Sequence, residues 1–205
     1  MYLNHEQALI VKVMVGRTHE FANRRFAGIV LEKSYEMGLR REFFDLGSTT
    51  LVTPSGRKEG DSIFAPGTLR PREDSWPTLA IECGVSQSLA RFVVDSHWWL
   101  ANSGGEVKIV ILISVSKEAK SIHFEKWETV AVPNPRVTRA NPHAFRATPT
   151  KMQELDIDGD VVTGAPLRLE FEKIMLRPPQ AGEGDMVFDM QQLAEYAADL
   201  WSYNQ

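Results

Sequence analysis

One cysteine, Cys83, is all the thiol chemistry these 205 residues carry. A lone thiol closes no internal disulfide and builds no cysteine-based zinc site by itself. Long hydrophobic runs are missing as well. The longest, such as Ile109 to Ile113, fall far short of the roughly 20 residues that span a bilayer. The first twenty residues hold Lys12 and Arg17 among scattered apolar side chains. No apolar block with a small-residue cleavage site follows them, so a secretory signal is not expected. Internal repeats and low-complexity tracts are also lacking. These absences exclude a membrane span, a disulfide scaffold and a zinc finger. An intracellular protein, cytoplasmic or nuclear and with no membrane partner, is expected.

What is present reads as globular: 43% hydrophobic against 24% charged residues is neither disordered nor fibrous composition. The length suits a single domain over residues 1–205. The net charge of −4 is mild, but it is unevenly spread. Residues 1–150 hold 19 Lys+Arg against 16 Asp+Glu, whereas residues 151–205 hold 4 against 11. A nucleic-acid surface would therefore lie in the first 150 residues, although two merely solvated faces would produce the same asymmetry.

Periodicity predicts a helix from Arg17 to about Met37, with Phe21, Ala22, Phe26, Ile29 and Val30 near one face, Thr18 as its cap and Gly38 as its stop. Two short strands follow, around 49–53 and 61–65, and 54–58 between them reads as a hairpin turn. The stretch Trp76-Pro77-Thr78-Leu79-Ala80-Ile81-Glu82-Cys83 reads as a strand closed by Gly84. Ser86 or Ser88 would cap a helix running to about Asn102, and Val107–Val115 would be a strand covered on both faces. That strand–helix–strand unit is a right-handed parallel crossover. Ser121–Val132 is a further strand. Residues 133–150, with four prolines, read as an excursion or linker. Leu167–Leu176 reads as a strand and Met190–Trp201 as a closing amphipathic helix. The class is mixed α/β.

Chemistry is suggested first by Glu82. Alternation puts Leu79, Ile81 and Cys83 on one face of the strand and Ala80 and Glu82 on the other. A carboxylate in so apolar a strand needs a cation, a metal or several donors to offset its burial. Asp61 opens the preceding strand and would lie beside Glu82 if those strands are neighbours. Two close carboxylates suit magnesium, which takes oxygen ligands and activates water on a phosphate.

Asp61, a loop, then Trp76-Pro77-Thr78-Leu79-Ala80-Ile81-Glu82-Cys83-Gly84, a helix and an apolar strand together resemble the PD-(D/E)XK nuclease superfamily, the restriction-endonuclease-like class. The resemblance covers roughly residues 17–115. It implies an αβββαβ core, a mixed sheet flanked by helices, over residues 1–116, with strands and a closing helix added over 117–205. It further implies hydrolysis of phosphodiester bonds in nucleic acid. Magnesium, or manganese as its substitute, would be held by Asp61, Glu82 and the backbone carbonyl of Cys83. An acid from the first helix, Glu20 or Glu32, often assists. Two departures stand out. Gly60 precedes the first acid where the family has proline, and Gly84 replaces the lysine that normally positions the attacking water. Gln87 is the nearest substitute for that lysine, with Arg91 one turn further on and Lys108 on the neighbouring strand.

The rival expectation is a catalytically inactive descendant that serves as a binding or interaction module. A homodimer is a third possibility, through an exposed sheet edge or Trp98. Other constellations read as structural. Cys83, facing away from Glu82, is expected to be a buried, inert thiol. Trp98 and Trp99 are expected to pack, and His19-Glu20 and His97 lack metal-motif spacing. Asp156-Ile157-Asp158-Gly159-Asp160 has the wrong glycine position for a calcium loop and reads as a hairpin turn.

Overall fold

The computed structural model describes all residues except 1, 4–7, 10–15, 55, 86–88, 140–142 and 204–205, and only the backbone of 2–3, 8–9 and 89–92. The strands are β1 (Tyr2–Leu3), β2 (Ala8–Leu9), β3 (Phe43–Asp45), β4 (Thr50–Thr53), β5 (Gly56–Glu59), β6 (Ser62–Pro66), β7 (Leu79–Val85), β8 (Ile109–Ser116), β9 (Ser121–Pro133), β10 (Phe145–Asp158), β11 (Val161–Thr163), β12 (Leu167–Leu169) and β13 (Met186–Phe188). The helices are α1 (Arg17–Glu36), α2 (Leu89–Asn102), α3 (Phe171–Met175) and α4 (Met190–Tyr203).

A seven-stranded sheet in the order β11-β10-β9-β8-β7-β6-β3 forms the centre. Only β7 and β8 run parallel, joined through α2 as the crossover the sequence predicts. Alternation sorts these strands cleanly. Leu79, Ile81, Cys83, Ile109, Ile111 and Ile113 face a core shared with α1, α3 and α4. Ala80, Val110 and Leu112 face a smaller one with Trp98, Trp99 and Leu100 of α2. Both tryptophans are buried, so they pack as expected, and Cys83 is a buried free thiol. The elements after residue 160 are not peripheral to this packing: Leu167, Phe171, Ile174, Phe188, Leu193 and Tyr196 belong to the larger core.

Four sequence expectations need correction. Thr18 does not cap α1; Gly16 holds the cap position without a side-chain bond, and Thr18 is buried. The charged run Arg57-Lys58-Glu59 is a strand rather than a turn. β5 pairs with β4 in a second sheet, β2-β1-β5-β4, and the Thr53 hydroxyl takes the Gly56 N–H at 3.1 Å to close that hairpin. Residues 145–150 belong to β10, because beyond Trp127 the β9–β10 pair has no β8 beside it and its edges tolerate Pro133 and Pro149. Leu167–Leu176 splits into β12 and α3, since a short apolar run fits a strand and a buried helix equally. The Asp158–Val161 turn is the expected hairpin, with Gly159 at φ 59°.

Candidate active site

The two acids sit where β6 and β7 part. The antiparallel register pairs Ser62 with Ile81, and Asp61 lies one residue past that pair, level with Glu82. The β6 ladder ends there, and the Asp61 carboxylate takes its place: the Cys83 backbone N–H donates to Asp61 Oδ2 at 2.8 Å. In an extended strand the N–H and C=O of one residue point to the same side. The Cys83 carbonyl therefore faces the same fork as Asp61.

Helix α1 holds Asp61 from one face of the sheet. His19 Nε2 donates to Asp61 Oδ2 at 3.1 Å. One turn on, Asn23 Nδ2 donates to the Asp61 carbonyl at 3.0 Å and to Ser62 Oγ at 3.1 Å. Positions four apart share a helix face, so one stripe of α1 grips both the side chain and the backbone of Asp61. The helix residue in contact with Asp61 is thus His19, and Glu20 Oε1 lies 3.8 Å from His19 Nδ1 behind it. Glu20 is half exposed and lies 3.8 Å from Arg24, while Glu32 is exposed and lies 3.5 Å from Arg25.

Glu82 points to the other face and is 3% exposed. Trp99 Nε1 of α2 donates to Glu82 Oε1 at 2.7 Å. Lys58 Nζ lies 3.2 Å from the same oxygen and also pairs with Asp95 of α2. Lys58, itself 6% exposed, reaches this position because β5 alternates in and out, burying Gly56 and Lys58 and exposing Arg57 and Glu59. Burial pulls the Lys58 ammonium down, but the charges of Glu82 and Asp95 and their hydrogen bonds outweigh it and hold the pKa above the ordinary lysine value. The departure at Gly60 has a packing reason. A Cβ there would come within 2.7 Å of Ile63 Cγ2 and 2.9 Å of the Trp99 ring, the same indole that serves Glu82.

The sequence-predicted residues therefore divide. Asp61 and Glu82 are level with one another at one strand fork and the Cys83 N–H reaches Asp61, but the two carboxylates are held on opposite faces of the sheet by different partners. Gln87 lies outside the described residues, as do Ser86, Ser88 and the side chain of Arg91. Lys108 turns back to the Gly105 carbonyl of its own loop. Sequence reasoning missed Lys58 and His19. For His19 a signal existed, since it falls on the helical stripe of Ala22, Asn23 and Phe26. For Lys58 none did, because its neighbours depend on how the β4–β5 hairpin folds over β7.

The Asp61 and Glu82 carboxylates and the Cys83 carbonyl are all oxygen donors, the type a hard divalent cation takes. A second group lies further along the sheet: His123, Glu125 and Glu154 each offer a ligand atom within 4.8 Å of the others. There Lys151 pairs with both carboxylates, at 3.1 Å from Glu125, and offsets part of their charge.

Over 94% of its length the chain is similar to a crystal structure from Anabaena variabilis ATCC 29413, described as a proposed nuclease belonging to DUF820. The match covers 88% of that chain, with a TM-score of 0.54 and 10% sequence identity. Identity that low speaks to the fold alone. The seven-stranded mixed sheet flanked by helices is a restriction-endonuclease-like fold. No family model and no curated protein matches the chain. Among the described residues no helix is long and apolar enough to cross a membrane.

Proposed function

We propose that this protein is a metal-dependent nuclease of the PD-(D/E)XK type, hydrolysing phosphodiester bonds in nucleic acid. Asp61, Glu82 and the Cys83 carbonyl are the residues that would hold magnesium or manganese. Such an ion supplies Lewis acidity and a more acidic bound water. His19 and Asn23 keep Asp61 aimed into the fork. Lys58 takes the part of the lysine that is absent at Gly84, its ammonium arriving from β5 rather than from β7. The observation that carries this reading is the buried Lys58–Glu82 pair one strand from Asp61. It restores the acid, acid and cation composition the resemblance implies, without Gln87.

The same contact favours a second reading. Glu82 Oε1 already receives the Trp99 N–H and faces Lys58, which is how a purely structural carboxylate in an inactive binding module would be satisfied. Cleavage assays separate the two. Purified protein is incubated with single- and double-stranded DNA and RNA, with magnesium, manganese or chelator, beside Asp61→Asn and Glu82→Gln. The nuclease reading expects metal-dependent cleavage that both variants lose by about 100-fold or more. Metal should also raise the melting temperature of the wild type and of neither variant. Absence of cleavage, with no metal effect on melting, leaves the inactive module.

A further inference from the structure

The far ends of β9 and β10 take no part in the site. β8 accompanies β9 only as far as Trp127, which lies opposite Val110. From Glu128 to Pro133, β9 pairs with β10 alone, running from Thr150 back to Phe145. At about 3.3 Å per residue this two-stranded ribbon extends roughly 20 Å past the sheet. Its tip is tied by the Asn134 N–H to the Ala144 carbonyl at 2.8 Å and by Asn134 Nδ2 to the His143 carbonyl at 3.0 Å.

The ribbon's composition is unlike the rest of the chain. Between Thr129 and Gln153 there is no aspartate or glutamate, while Arg136, Arg139, Arg146 and Lys151 are all basic, in a protein of net charge −4. Exposed arginines elsewhere are mixed: Arg24, Arg72 and Arg168 sit beside Glu20, Asp74 and Asp185, whereas Arg17 and Arg40 lie over the rings of Tyr203 and Tyr35. Arg136, Arg139 and Arg146 are exposed, and among the described residues no carboxylate pairs with any of them. Beside them Phe145 is 60% and Val137 58% exposed. Three unneutralised guanidinium groups and an open aromatic on a paired ribbon are the chemistry that receives phosphates and a sugar or base face. A two-stranded ribbon also fits the major groove of B-form DNA.

We infer that the β9–β10 ribbon is a nucleic-acid-binding arm, with Arg136, Arg139 and Arg146 on the phosphate backbone and Phe145 against sugar or base. The inference rests on the proposed nuclease reading only for the choice of polyanion. Binding by the arm needs neither Glu82 nor a metal.

The test is fluorescence anisotropy in chelator, with a short labelled duplex and the matching single strands of DNA and RNA, over a series of salt concentrations. The triple variant Arg136→Ala, Arg139→Ala, Arg146→Ala should bind about 10-fold or more weakly, and its log–log salt slope should fall by about 2 to 3. Its thermal unfolding should match the wild type, since among the described residues these side chains make no ion pair. Lys117→Ala with Lys120→Ala, on the β8–β9 turn at the other end of β9, should leave affinity and slope unchanged. Wild-type affinity and slope in the triple variant would overturn the inference, as would a wild type that binds none of the probes. So would a wild-type dimer in sedimentation that the triple variant breaks while binding no nucleic acid. The arm would then be docking the acidic C-terminal region of a second copy. If nothing is cleaved yet the arm variant still loses binding, the nuclease reading fails and the arm stands.

Discussion

Lys58 and Glu82 form a buried ion pair whose members depend on one another. Removing one partner leaves an uncompensated charge, which costs about 3–5 kcal/mol, whereas removing both costs much less. Lys58→Met should therefore lower unfolding free energy at neutral pH by about that amount, and adding Glu82→Gln should recover a large part of it, as read by urea denaturation. The pH dependence follows from the raised pKa. The pair's contribution is full below the ordinary lysine value of 10.5 and is lost as pH climbs through the higher folded value. The wild type should thus lose stability steeply in alkali where the double variant does not. Legibility differs residue by residue at this site. Asp61 and Glu82 could be read from the chain because an acid at the end of an apolar strand is conspicuous. His19 was legible in principle from its helical phase, but an acid one position on drew the assignment. Lys58 was hidden, since no local pattern marks a lysine whose partners lie on β7 and α2.

Elements are locked together by a few polar clamps. α4 fixes α1: the Tyr196 hydroxyl donates to the Ala22 carbonyl at 3.0 Å, and Arg25 meets Asp199 at 2.8 Å. Because α1 carries His19 and Asn23, the C-terminal helix positions Asp61 at one remove. The segment between α3 and β13 is held by Arg177, which makes two bonds to Glu183, at 2.6 and 2.7 Å, and reaches Glu42 at 3.0 Å. The Arg177 bonds, with the Gln180 N–H, depress the Glu183 carboxyl from 4.5 to about 2. A depressed carboxyl stabilises above its ordinary value and stops doing so as pH falls through the folded one. Glu183→Gln should therefore flatten the acid limb of the stability curve between pH 4.5 and about 2, measured as the urea midpoint against pH. The sequence revealed the crossover β7–α2–β8 and the helices because their periodicity spans many residues. It concealed β5 and α3, which are short and defined by tertiary pairing rather than by pattern.

At the scale of the molecule, a nuclease-like sheet is completed by its C-terminal third. Leu167, Phe171, Phe188, Leu193 and Tyr196 close the same core that α1 and β7 begin. A chain ending at residue 160 should lose near-ultraviolet circular dichroism, bind hydrophobic dye and unfold without a cooperative transition. Cooperative unfolding of that fragment would show that the first 160 residues suffice. Charge divides the molecule as well, with a basic, acid-free ribbon on one side of the sequence and an acidic C-terminal region on the other. The central claim, though, is that a lysine from β5 replaces the one missing from β7. The most direct measurement is single-turnover cleavage, in magnesium, by wild type, Lys58→Met and Lys58→Arg, with substrate binding measured in parallel. The account predicts that Lys58→Met binds substrate normally but loses about 100-fold or more in rate, with Lys58→Arg recovering part of it. A folded Lys58→Met that cleaves at the wild-type rate would contradict it.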